Sequence, residues 1–318
     1  MSFVVALDPG YGNTKVATAR GTNVLQSAVA RPMTLGLAAE GVDVASRPKT
    51  IKLQDDTEFV AGPGAWAWGN PESSMDYSDL ASQKRKALFY SAFAQVYEEP
   101  GFFDVDMLVM GLPVPLLQDS PQAEPVLESL KSYKKKQPFY YEGKSYMVNI
   151  GRVRVLAQPV GAYAGYALDT NGHLRRGISK EKVAVLDLGM NTLDLYVIQG
   201  FEASPRYIGG DKLGVRRLLE NLNGQAEIEE LDAALRSGKL KPSDTDLDNW
   251  LISILGSLER HWGSLGRFDA VIPTGGGASV LGMKLNNALA AKGAPVHWPS
   301  DPVTANVEGL YRWGVRVV

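Results

Sequence analysis

The chain has 318 residues, of which 45% are hydrophobic and 21% charged, and its formal net charge is -2. The length exceeds one compact core at roughly 150 residues per domain, and the composition excludes a disordered chain, which lacks enough apolar surface to fold. Zero cysteines exclude disulfides, zinc–thiolate sites, iron–sulfur clusters and thiol nucleophiles, while the near-zero charge disfavours direct nucleic-acid binding, which draws on a positive field.

Phe3-Val4-Val5-Ala6-Leu7 is a short β-branched run bounded by Asp8-Pro9-Gly10, and Lys15 to Ala19 resumes an extended pattern, so the chain opens on a β-hairpin. No charged and apolar leader precedes it and no apolar window reaches about 18 residues, so a cytoplasmic protein with no membrane span is expected. Thr22 to Tyr77, with its prolines, glycines and the pair Trp66 and Trp68, reads as a smaller appended unit. The two tryptophans are either interface anchors or buried within it. Ser82 to Glu99 has helical spacing at Leu88, Phe89, Phe93 and Val96, and a strand over Met107 to Met110 follows, ending at Gly111-Leu112-Pro113. Lys131 to Lys136 is either a docking patch for an acidic partner or a solvated face. Val153 to Leu156 reads as a strand, and Gln158 to Tyr166 as a strand end entering a helix.

In the second half, Val183 to Leu186 is a strand before Asp187-Leu188-Gly189, and Leu193 to Ile198 is its return. Helices are expected over Lys212 to Asn223, Ala226 to Arg236 and Asp246 to Trp262. A strand over Ala270 to Ile272 leads into Thr274-Gly275-Gly276-Gly277, and a helix over Val280 to Ala291 follows. Alternating strands and helices imply α/β lobes. His173, His261 and His297 are scattered, so a histidine-based metal site is not expected.

The hairpin occurs twice. Leu7 to Lys15 and Leu186 to Asp194 share strand, Asp-x-Gly, a turn with Asn-Thr, and strand, which marks a duplicated architecture; with the Asn-Thr pairs aligned, the turns differ by one residue. In Asp8 to Lys15, Gly10 and Gly12 let backbone N–H groups approach an anion that Lys15 can also reach. It is not a Walker loop, because Lys15 starts a strand rather than a helix, and alone it is compatible with a simple turn. Asp187 at the equivalent place changes the weighting. Two carboxylates facing one another suit magnesium, which takes oxygen ligands and keeps several waters, although Asp187 could instead cap its own turn. Gly275, Gly276 and Gly277 after an apolar strand either form a tight turn or let an adenosine lie on bare backbone at the strand's carboxyl end.

Taken in order, Asp8-Pro9-Gly10-Tyr11-Gly12-Asn13-Thr14-Lys15, Gln158-Pro159-Val160-Gly161-Ala162-Tyr163, Asp187-Leu188-Gly189-Met190-Asn191-Thr192-Leu193-Asp194 and Thr274-Gly275-Gly276-Gly277-Ala278 resemble phosphate loop one, the first connecting motif, phosphate loop two and the adenosine motif of the actin and heat-shock ATPase superfamily. Gly209-Gly210-Asp211-Lys212-Leu213-Gly214 and Asp301 to Tyr311 further resemble the ParM/StbA branch. The resemblance implies an α/β, actin-like duplicated fold of two ribonuclease H-like lobes with a nucleotide cleft between them and smaller appended subdomains. Lobe I would be residues 1–165 plus 303–318, with a small subdomain at about 22–80; lobe II would be 166–302, with a helical subdomain at about 211–248.

By position, the resemblance implies that Asp8 and Asp187 hold the hydration shell of Mg2+ and that Lys15 contacts the phosphates. Gly10, Tyr11, Gly12, Asn13 and Thr14, with Gly189, Met190, Asn191 and Thr192, would wrap those phosphates, and Gly275, Gly276 and Gly277 would carry the adenosine of ATP or ADP, with GTP as the alternative nucleotide. Gln158 would orient the attacking water. An amide positions water but is a poor base, which suits phosphoryl transfer. Pro9 and Met190 depart from the family pattern, and candidates for base contact lie on the helix from Glu229 to Arg236, whose charges also suit a solvated surface.

The function so implied is a slow ATPase that polymerises head-to-tail, since heterologous contacts that do not close give filaments. It would act in plasmid segregation or intracellular positioning through an adaptor protein bridging to DNA. The alternatives on the same fold are a non-polymerising regulatory ATPase and a small-molecule kinase; the kinase needs a carboxylate base where this sequence has Gln158.

Overall fold

The computed structural model describes residues 2–33, 48–71, 77–222 and 227–318. The chain divides into two compact units: Met1–Leu112, Leu116–Leu156 and Gly314–Val318 form the first, and Pro113–Pro115 with Ala157–Trp313 the second.

The strands of the first unit are β1 (Val4–Pro9), β2 (Asn13–Thr18), β3 (Gly21–Gln26), β4 (Val29–Ala30), β5 (Thr50–Lys52), β6 (Glu58–Ala61), β7 (Gly101–Leu112), β8 (Gln137–Tyr141) and β9 (Lys144–Ala157). They form one sheet in the order β3-β2-β1-β7-β9-β8-β5-β6-β4. Its helices are α1 (Gly64–Trp68), α2 (Gln83–Tyr97) and α4 (Ser120–Leu130), while α3 (Val114–Gln118) follows β7. The Ser82 hydroxyl accepts the Arg85 N–H and so starts α2. Leu88, Phe89 and Phe93 of α2 then pack on Val5, Leu7 and Val16 of the sheet.

β7 is longer than the apolar run at 107–110 suggests, because in residues 101–106 exposed Phe102, Asp104 and Asp106 alternate with more buried positions, a half-solvated strand pattern. β9 exceeds Val153 to Leu156 for a related reason: Gly151, Arg152 and Arg154 are exposed within it. The appended segment is likewise part of the sheet where it is described, with β3 continuing the first hairpin and β5, β6 and β4 extending the far edge. Its residues 34–47 and 72–76 lie outside the described residues. Trp68 packs on Ala28, Ala30, Val60 and Ala65, whereas Trp66 is exposed. Lys131, Lys134, Lys135 and Lys136 are all solvated around a buried Tyr133.

The second unit has a five-stranded sheet built on β12 (Glu202–Ala203), β11 (Leu193–Gln199), β10 (Lys182–Leu188) and β14 (Ala270–Thr274), with β13 (Gly209–Asp211) also on β11. β10 is antiparallel to β11 and parallel to β14. Helices α5 (Gln158–Ala167), α6 (Val215–Leu222), α7 (Ile228–Arg236), α8 (Asp244–Trp262), α9 (Gly276–Leu281), α10 (Met283–Ala291) and α11 (Ala305–Val317) accompany it; the last residues of α11 belong to the first unit. α8 opens two residues before its expected start, on a capping box of Ser243 and Asp246. The single helix expected over Val280 to Ala291 is two helices, because Gly282 sits at φ 51 between them.

Successive residues of a strand point to opposite faces, and that rule divides the second unit's core. Ala184, Leu186 and Leu188 pack with α6, α8, α9 and α10 residues such as Leu218, Trp250, Leu281 and Leu285. Val183 and Val185 turn the other way, onto Ala162, Tyr163 and Ala167 of α5 and Ala305 of α11. Asp187 continues that second series. α5 and α11 cross at glycines: a Cβ on Gly161 would collide with the Asn306 backbone, and one on Gly309 with the Gly161 carbonyl.

Candidate functional site

In the first unit, Asp8 lies at the end of β1 and is buried. Cross-strand pairing sets Lys15 of β2 opposite it, and Lys15 Nζ donates to Asp8 Oδ2 at 2.8 Å. The loop between them is tied from behind. Ser27 Oγ donates to the Gly10 carbonyl at 2.7 Å, Arg85 Nη1 donates to the same oxygen at 3.2 Å, and Ser27 N donates to the Gly12 carbonyl at 3.0 Å. Thr14 Oγ1 and Ser27 Oγ share a further hydrogen bond. Gly10 cannot be replaced without moving the turn, since a Cβ there would stand 2.7 Å from the Asn13 carbonyl. Arg85 also ion-pairs with Asp79 and lies over the Tyr11 ring.

In the second unit, Asp187 lies near the end of β10, and Asn306 Nδ2 donates to its Oδ2 at 2.7 Å, both groups being buried. Asp194 of β11 pairs with it across the hairpin. Burial, and then the charge of Asp187, push the Asp194 carboxyl up to about 7, against a hydrogen bond from Thr192 Oγ1 that favours the ionised form. The turn Gly189 to Thr192 is anchored on α6: the N–H groups of Gly214, Val215 and Arg216 donate to the carbonyls of Asn191, Gly189 and Met190. Gly214 approaches that turn too closely to carry a side chain. Thr274 of β14 pairs with Asp187, and Gly275 after it, at φ 90, lies with its Cα against the Leu188 backbone and Asp187 Oδ1. A Cβ on Gly277 would strike the Leu188 side chain, whereas one on Gly276 would meet open space. Gln158 is the first residue of α5, one turn before the Gly161 that packs on Asn306.

The two hairpins have equal turns. The pairs Asp8 with Lys15 and Asp187 with Asp194 occupy the same register in each. Aligning the Asn-Thr pairs introduces a one-residue offset that the backbone does not have, and the counterpart of Lys15 is Asp194.

Residues 6–161 match the family model of the N-terminal domain of actin-like proteins. The chain has an actin-like fold, and its first half is similar to the N-terminal domain of actin-like proteins. Among solved structures, the actin-like chain superposes on the apo ParM protein of pSK41 with a TM-score of 0.75 at 18% identity, covering 98% of this chain and 97% of that one. An archaeal actin homolog, Ta0583, gives 0.74 at 22% identity with 99% of each chain covered, and its ADP complex gives 0.70. A 15-stranded ParM filament from Clostridium botulinum gives 0.66 at 17% identity, covering 98% and 99%. No curated protein sequence matches the chain.

Within this actin-like chain, the sequence-derived residues fall into two sets. Asp8, Gly10, Tyr11, Gly12, Asn13, Thr14 and Lys15 belong to the first unit; Gln158, Asp187, Gly189, Met190, Asn191, Thr192, Gly275, Gly276 and Gly277 belong to the second. Three functional candidates escaped sequence reasoning. Arg85 and Ser27 hold the first loop from outside its motif, and Asp194 ends the second motif across the hairpin from Asp187. Its signal was a charged residue at an inward position of an otherwise apolar strand. On the helix from Glu229 to Arg236, Asp232 is buried and ion-pairs with Arg236. Among the described residues, no helix is long and apolar enough to cross a membrane.

Proposed function

We infer that this chain binds one Mg–ATP through both half-sites, hydrolyses it slowly, and assembles head-to-tail into filaments under control of that hydrolysis. The observation that carries the reading is the repeated hairpin, which presents a buried aspartate at the same register beside a glycine turn in each unit. The nucleotide lobes would be residues 1–165 with 303–318, and 166–302.

The second half-site fits a hard cation. Asp187 and Asp194 are buried side by side, and Asp194 Oδ1 has no hydrogen-bond partner among the described residues. A buried carboxylate oxygen without a partner, as Asp194 Oδ1 is among the described residues, is an acceptor that the water shell of magnesium can satisfy. Bound magnesium would neutralise charge on the phosphate oxygens during transfer. Asp187 and Asp8 would accept hydrogen bonds from its waters, and Lys15 would meet the phosphates.

The loops Gly10 to Thr14 and Gly189 to Thr192 would supply backbone N–H groups to the phosphate oxygens, and Gly275 to Gly277 bare backbone for the adenosine. Gln158 would hold a water in line with the terminal phosphorus. Attack forms the new P–O bond, breaks the bond to the bridging oxygen and releases ADP, with the water's proton passing to phosphate or solvent. Positioning and electrostatics supply most of the catalysis in such a step. The ParM filament among the structural neighbours supports assembly, and the resemblance of the sequence motifs to the ParM/StbA branch is what suggests a cytoplasmic role in plasmid segregation or intracellular positioning through an adaptor.

Light scattering and sedimentation after addition of magnesium and ATP test the reading. Scattering should rise and then decay as phosphate is released. Phosphate release without assembly at high protein concentration would leave the non-polymerising ATPase, and absence of nucleotide binding would remove the function altogether.

A further inference from the structure

Asn306 occupies the first turn of α11 and is 2% exposed. Its side chain donates to Asp187 Oδ2, and its backbone carbonyl lies against Gly161, one turn from Gln158. The other oxygen of Asp187 is bounded as well, because a Cβ on Gly275 would stand 2.8 Å from Oδ1. The carboxylate is therefore held by an amide on one side and by bare backbone on the other.

Packing does not account for an amide at this position. Asn306 Oδ1 has no hydrogen-bond partner among the described residues, and a buried polar atom left unpaired is unfavourable where a leucine would fill the same volume without it. The retained feature is the N–H aimed at the carboxylate, a charge-assisted bond that fixes orientation.

We propose that Asn306 is the positioning residue of the second half-site: it sets the angle at which Asp187 meets the magnesium hydration shell and the spacing between Asp187 and the turn that presents Gln158. This rests on the Mg–ATP reading above. Groups in contact with metal ligands typically change metal affinity or activity by about 10–100-fold when lost.

The test compares the unmodified chain with Asn306→Leu, which keeps volume without a donor, and Asn306→Asp, which keeps shape but replaces the donor by an acceptor. Melting temperature, turnover, and binding of a fluorescent ATP analogue with and without magnesium are measured. Both variants should bind the analogue within about twofold of the unmodified chain in chelator, yet lose about tenfold in the tightening that magnesium brings and about tenfold in kcat. Unchanged magnesium tightening and kcat in either folded variant overturns the proposal. So does an equal loss of binding with and without magnesium, or failure of both variants to fold, since each makes the role purely structural. If the unmodified chain shows no magnesium-dependent nucleotide binding, the functional reading falls and takes this inference with it; normal behaviour of the unmodified chain and of both variants removes the inference alone.

Discussion

The two hairpins share backbone and register but not electrostatics. Across β1 and β2 the buried aspartate meets a lysine, and the pair is neutral within the first unit. Across β10 and β11 the buried aspartate meets a second aspartate, whose carboxyl is pushed up to about 7. The geometry is thus the same in the two hairpins while one cross-strand residue differs, giving an ion pair in the first and two neighbouring carboxyl groups in the second.

The largest effect expected is on chemistry. Asp187→Ala should abolish phosphate release, by roughly a hundredfold or more, in a chain whose melting temperature shows that it is folded; near-normal release would remove Asp187 from the metal site. Next, Gln158→Ala should keep nucleotide affinity and lose most turnover, measured by single-turnover phosphate release. Unchanged turnover sinks the water-positioning role.

The comparison itself is sharpened by stability. Lys15→Met leaves Asp8 buried without its ion-pair partner and should cost about 3 kcal/mol in denaturant unfolding. Asp194→Asn removes a carboxylate whose ionised form is disfavoured, and should raise stability at pH 7.5 in chelator by about 1 kcal/mol or more. If both substitutions destabilise equally, the electrostatic contrast is wrong.

Titration gives a finer version. A carboxyl raised on folding holds its proton in the folded state after the unfolded chain has lost it. Its contribution to stability is therefore complete below about pH 4 and is lost as pH rises toward 7. In chelator this one group should lower unfolding free energy by at most about 1.4 kcal/mol per pH unit over that window, and Asp194→Asn should flatten that part of the curve. The smallest effect expected is at the glycines: Gly276→Ala should leave the melting temperature within about 2 °C and act only on nucleotide affinity, because a Cβ there meets open space.

The sequence is most legible where function and local pattern coincide. Both hairpins, the entry of Gln158 into α5 and the order of the glycine motifs follow from runs of a few residues, and the residues matched to the actin-like domain, 6–161, include the first loop and Gln158. What stayed hidden depends on pairing between distant or differently aligned residues. Matching the Asn-Thr pairs put Asp194 out of register with Lys15, and only strand pairing restores it. No local pattern singles out Arg85, because its partners Gly10 and Tyr11 lie 75 residues or so earlier. Long strands were underestimated wherever one face was solvated, as in β9 with Arg152 and Arg154 exposed.

The hydrogen bond from Asn306 to Asp187 spans 119 positions of the chain, and that interval has a meaning in time as well as in space. At about 5–20 residues per second of synthesis, Asp187 is made roughly 6–24 s before its amide partner exists. β10 and β11 can pair during that interval, but the hydrogen bond from the Asn306 amide to the carboxylate can form only once α11 docks on α5. A growing chain can therefore build the frame of the second unit early, yet it completes the grip on the carboxylate only as one of its last folding events.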